Sequence, residues 1–163
     1  MMKPNLHVFS FFFFLLLVVA SVSSEDCSYT FLVKTGTVSD AGSDSMISVT
    51  LKDAQGTQVK IDNLAKHGLM GPGHDYFENG NLDTFSVNGV CTNSAVCELT
   101  LISDGTGNKP GWYVDYVRVI TSGAKFGDIQ FDVYGWLAKD EPPYLLTRTF
   151  SRCGPKMPEM SII

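Results

Sequence analysis

The residues best equipped for chemistry lie between Gly68 and Phe85, in the run Gly-Leu-Met-Gly-Pro-Gly-His-Asp-Tyr-Phe-Glu-Asn-Gly-Asn-Leu-Asp-Thr-Phe. Asp75, Glu78, Asn79, Asn81 and Asp83 offer oxygen atoms of the kind hard cations prefer. Four glycines and Pro72 break any helical or strand period, so these groups are displayed from an irregular loop. The same loop carries Leu69, Met70, Tyr76 and Phe77. A merely solvated segment has no use for them, and they argue against disorder.

Nucleophilic or acid–base catalysis is not supported by the residues present. Beyond the leader described below, the histidines are His67 and His74, and neither sits in a Gly-x-Ser-x-Gly elbow, a His-Glu-x-x-His helix or a phosphate-cradling glycine loop. A triad of His74, Asp75 and a serine is conceivable, but neighbouring loop residues rarely orient one another. His67 reads as a surface residue, and the expectation is a protein that is not an enzyme.

The elements that must position the loop begin with the leader. Lys3 and His7 precede an apolar run from Val8 to Ala20, and small residues follow at Ser21, Ser23 and Ser24. This is the pattern of a secretory signal peptide over residues 1–24, cut after Ser24. The run is shorter than the roughly 20 residues a spanning helix needs, and no later stretch replaces it. Of the 163 residues, 139 then remain, enough for one domain over 25–153 with a tail over 154–163 that frays. The mature charge is −6, from eleven basic against seventeen acidic side chains, which disfavours nucleic acid and simple attraction to anionic lipid. No Asn-x-Ser/Thr sequon occurs, and the ending Met-Ser-Ile-Ile is not a retention signal, so endoplasmic reticulum and extracellular destinations both stay open.

Cys27, Cys91, Cys97 and Cys153 are even in number in a chain bound for an oxidising compartment, and two disulfides follow. Three pairings are possible. The favoured one joins Cys91 to Cys97 around a short loop and Cys27 to Cys153, tying the first strand to the last. A zinc site is the rival, but the spacing is wrong and no histidine follows.

From Ser28 the chain reads as strands with no convincing amphipathic helix. Strands are expected at 29–35, 46–53, 57–61, 83–87, 95–102, 112–121, 128–136 and 146–152, from β-branched and aromatic enrichment and from alternation such as Ile47, Val49 and Leu51 against Ser48, Thr50 and Lys52. Turns fall at 53–56, 103–111 and 140–143, the last excluded from a central strand by Pro142 and Pro143. Eight short antiparallel strands specify a two-sheet sandwich or a barrel.

Several motifs in this order carry a resemblance. They are Cys-Ser-Tyr-Thr-Phe from Cys27, Lys-Thr-Gly-Thr from Lys34, Asp-Ala-Gly-Ser-Asp-Ser from Asp40 and Gly-Leu-Met-Gly-Pro from Gly68, then Tyr-Phe-Glu-Asn-Gly-Asn-Leu-Asp-Thr-Phe from Tyr76, Cys-x5-Cys from Cys91 and Gly-Trp-Tyr-Val-Asp-Tyr-Val from Gly111. Together they resemble the plant PLAT/LH2 domain proteins, close to the embryo-specific protein 3 group, from Cys27 to Cys153. The resemblance implies an all-β, eight-stranded sandwich of two four-stranded antiparallel sheets. It also implies residence in the secretory pathway or apoplast, a monomer, and roles in plant development or stress responses.

The resemblance further implies calcium held between loops at one end of the sandwich. The corresponding ligands are Asp40, Gly42, Ser43 and Asp44 in one loop and Gly73 and Asp75 in another. His74 stands where an amide oxygen would serve better, and Pro110 supplies no carboxylate to a third loop, so the site is expected to be weak or vestigial. Aspartate, asparagine and serine beside glycine are also ordinary turn formers. Membrane contact in such a family implies Leu69 and Met70 as lipid-facing residues, with Trp112 second; the alternative is that Leu69 and Met70 cap the core. Trp136 and Phe131 are expected in the core. The function expected is a noncatalytic module associating with membrane lipid or protein, and the alternative is a secreted sandwich that recognises a protein or glycan without lipid contact.

Overall fold

The computed structural model describes residues 26–123 and 127–154. The expected signal peptide and cleavage after Ser24 lie outside the described residues, as does the expected tail beyond Gly154. Eight strands form where alternation demands them: β1 (Asp26–Thr35), β2 (Ile47–Asp53), β3 (Gln58–Ile61), β4 (Leu82–Val90), β5 (Val96–Ser103), β6 (Trp112–Ser122), β7 (Gly127–Leu137) and β8 (Thr147–Ser151). They make two four-stranded sheets, ordered β4-β1-β6-β7 and β3-β2-β5-β8, with every pairing antiparallel. The expected architecture is therefore present. A short 3-10 turn at Leu64–His67 adds to it, and Leu64 is buried there.

Along β1 and β2 one side chain in two enters the core. Tyr29, Phe31 and Val33 of β1 face Ile47, Val49 and Leu51 of β2, with Phe85, Leu99, Leu101, Val117, Val119 and Phe131 filling the space between. Burial of this apolar layer is the main force holding the two sheets face to face.

Antiparallel connectivity sends the loops 36–46, 62–81, 104–111 and 138–146 to one end, and 54–57 and 91–95 to the other. The short-loop end is locked by disulfides, and here the expected pairing is wrong. Cys27 bonds Cys91, and Cys97 bonds Cys153. The register explains the exchange: Cys27 lies opposite Gly89 in the β1–β4 pair, which delivers Cys91 to its side. Cys97 precedes Glu98, which faces Ser151 of β8, so Cys153 arrives there. Each bridge clips two strands of one sheet, whereas Cys91 and Cys97 belong to different sheets.

Asp53 anchors the same end. Its buried carboxylate accepts backbone hydrogen bonds from Gln55 (2.9 Å), Thr57 (2.8 Å) and Ser94 (2.9 Å), tying the β2–β3 turn to the β4–β5 loop. Burial pushes its pKa up, but the bonds from Ser94, Thr57 and Gln55 outweigh that and hold it below the ordinary carboxylate value. A depressed folded pKa stabilises above the unfolded value, and the contribution is lost as pH falls through the folded one. Asp53→Asn, which turns an amide donor toward one of these N–H groups, is expected to cost about 2 kcal/mol at pH 7. The gap to the parent narrows below about pH 4, as urea unfolding across pH will show.

Candidate functional site at the loop end

The long loops build the opposite end, and the Gly68–Phe85 run is held there by several contacts. Gly68 forms an isolated bridge to Phe85, and the Leu69 N–H donates to the Thr84 carbonyl at 2.8 Å. The Met70 N–H donates to the Tyr76 hydroxyl at 3.2 Å. The Tyr76 ring occupies the space a Cβ on Gly68 would need, which is why glycine stands there. Tyr76 and Phe77 pack on Phe85 at centroid distances of 5.1 and 5.5 Å.

Beneath them is a group that sequence reasoning counted among cation ligands. Asp83 is fully buried, accepting the Phe77 N–H at 2.7 Å and lying 2.7 Å from His74 Nε2. It is a loop anchor. Its alternation with Phe85 and Val87 was the available signal. His74 likewise serves the loop by bonding Asp83, and His67 is exposed as expected.

On this scaffold Leu69 and Met70 project into solvent, 60% and 45% exposed. The core-cap alternative is therefore excluded. Trp112 is the correction: it is fully buried, donates its Nε1–H to Thr35 Oγ1 at 3.0 Å and meets Phe77 edge to face. It holds the loops from below and cannot touch a membrane. Sequence reasoning also missed Tyr144 and Leu145, 62% and 52% exposed in the β7–β8 loop. The apolar pair after Pro142-Pro143 was the signal. Val38, Met46 and Leu82 are exposed at this end too, while Val90 marks the opposite end.

The implied calcium ligands do not form one centre. Asp44 and Asp75 line a cleft of about 210 Å³ together with Ser43, Ser45 and His74. Asp40 lies across the loops in a second cleft, beside Lys109, Asp140 and Glu141. Its Oδ1 is 3.8 Å from Lys109 Nζ. Asp44 Oδ2 accepts the Lys109 N–H at 3.1 Å. The Ser43 hydroxyl donates to the Pro110 carbonyl and accepts from the Ser45 N–H, so it is engaged within the chain. Gly42 is buried against Glu78 and Asn79, and Gly73 is exposed at positive φ. Among the described residues no three His, Cys, Asp or Glu side chains converge as metal ligands do. Three carboxylates in one site thus do not fit; Asp44 with Asp75 is the pair the fold brings together.

Asp104 ties two of these loops. Its Oδ1 accepts the N–H groups of Met46 and Thr106, at 3.1 and 3.0 Å. The Thr106 backbone bond is the leading reason its pKa is lowered, outweighing desolvation.

PLAT domain-containing protein 2 of Arabidopsis thaliana is 47% identical over 83% of this chain and 80% of its own length. PLAT domain-containing protein 1 of the same plant is 46% identical over 81% and 75%. Among solved structures, a coral 8R-lipoxygenase described by calcium activation via a C2-like domain superposes with a TM-score of 0.59 at 24% identity. That match covers 76% of this chain but 16% of the lipoxygenase, and it shows the shared fold alone. The family model for Embryo-specific protein 3 (ATS3) matches residues 15–136, and the chain accordingly belongs to the ATS3 family of PLAT domain proteins.

Proposed function

We propose that the protein is a noncatalytic secreted module that attaches to membrane lipid through its loop end. The observation that carries this is the display of Leu69 and Met70: a loop braced by Asp83, Tyr76 and Thr84 holds two large apolar side chains away from the core. An apolar pair held this way immerses shallowly in an interface. Tyr144 and Leu145 extend the apolar character of the same end. Two disulfides support residence in the secretory pathway or outside the cell.

The relatives are named as PLAT domain proteins, and the coral lipoxygenase is described as calcium-activated through its C2-like domain. Calcium at Asp44 and Asp75, completed by water, is the part of the expected site that this geometry supports. Two carboxylates suit the weak end of the range for extracellular modules, about 1 mM. At about 5 mM calcium the melting temperature is then expected to rise by about 3 °C over a chelator control, an increment lost in Asp44→Asn/Asp75→Asn. Equal melting in calcium and chelator ends the calcium reading. The docking reading is tested by co-sedimentation with phosphatidylcholine vesicles: binding above a vesicle-free control is expected, and none at any lipid concentration refutes it.

A further inference from the structure

The outer face of β6 and β7 carries aromatic side chains that the core does not use. Tyr113 lies opposite Trp136, and Tyr116 opposite Asp132. Their neighbours Trp112, Val114, Val117, Phe131 and Leu137 are buried, so these residues face outward. Tyr113 and Trp136 meet edge to face with centroids 5.3 Å apart, and Tyr134 stands nearby, 66% exposed. Trp136, expected in the core, is only half-buried. It forms a wall of the second cleft, about 440 Å³ in volume, which is also lined by Ser39, Asp40, Asn108, Lys109, Asp140 and Glu141. That is the size of a small-molecule site.

Charge decides what fits. On the sheet face Arg118 donates to Asp128 and Arg152 to Asp132. In the cleft Lys109 faces Asp40. The remaining carboxylates do not converge with it into a metal-binding trio, which disfavours a bare divalent cation, and their excess disfavours an anion. An aromatic wall edged by separated carboxylate, amide, hydroxyl and ammonium groups suits a neutral ring with an apolar face and a belt of hydroxyls. Each hydroxyl donates and accepts, so it can use a carboxylate and an ammonium alike, while the C–H face of the ring packs on indole.

We propose that this cleft and the aromatic face beside it bind a neutral polysaccharide, one sugar ring against Trp136 and the chain running on over Tyr113 and Tyr134. The cleft opens at the same loop end as Leu69 and Met70, but neither of them lines it, so different variants test the two readings. Affinity electrophoresis of the disulfide-intact mature protein through gels containing soluble neutral glucan, xylan or mannan tests it. Retarded migration is expected in at least one gel, with affinity falling at least about tenfold in Trp136→Ala, as for loss of an aromatic anchor. Should that variant not fold, Asp140→Ala/Glu141→Ala and the exposed Tyr134→Ala carry the test, each weakening retardation, and Tyr134→Ala leaves phosphatidylcholine binding unchanged. No retardation of the parent in any of the gels overturns the proposal, as does equal retardation of the parent and every folded variant.

Discussion

Leu69→Ser/Met70→Ser is expected to bind phosphatidylcholine vesicles at least about thirtyfold more weakly than the parent, the equivalent of about 2 kcal/mol of lost apolar burial. The figure is smaller than for two fully buried side chains because both are already partly covered in the free protein. Melting should stay within about 1 °C of the parent, since exposed substitutions away from the core are nearly neutral. The backbone bonds of the loop, Leu69 N–H to Thr84 and Met70 N–H to Tyr76, survive the change. Titration with sucrose-loaded vesicles reads the first quantity and calorimetry the second. Equal vesicle binding by the two proteins would contradict the assignment of the loop end.

Reduction should act in the opposite way, removing stability with little direct effect on the loops. The bridges span sequence separations of 64 and 56 residues. Constraining loops of that size in the unfolded chain is worth about 4 kcal/mol each, a large part of the total for one domain. Cys97→Ala/Cys153→Ala is expected to lower the unfolding free energy by about that amount, read from the shift of the urea midpoint. It also frees β8, which pairs with β5 alone within its sheet. Digestion without reduction should release peptides joined Cys27 to Cys91 and Cys97 to Cys153. A Cys91–Cys97 peptide would overturn the assignment.

The pairing shows where sequence reasoning stops. Short range in the chain favoured Cys91 with Cys97, yet β4 and β5 belong to different sheets, and strand partnership is a long-range property. The strands themselves were legible, because alternation such as Ile47, Val49, Leu51 is a local consequence of one buried face. Trp112, expected to face lipid from the resemblance alone, is buried. A bulge between Val114 and Tyr116 shifts the phase, so Trp112 and Val114 point inward along with Val117 and Val119. A strict two-residue period does not join these two sets. In the candidate site, Leu69 and Met70 were legible as an apolar pair framed by glycines. The separation of Asp40 from Asp44 and Asp75 was not, because it depends on how the β5–β6 loop and Lys109 enter between them.

The proposed attachment puts the loop end, and not the disulfide end, against the bilayer. Leu69→Trp and Val90→Trp place an added indole at exposed positions on the two ends, against a background set by Trp112 and Trp136 in the parent. With vesicles of brominated phosphatidylcholine, the added emission of Leu69→Trp is expected to be quenched on binding and that of Val90→Trp to persist. Quenching at Val90 with none at Leu69 would contradict the account.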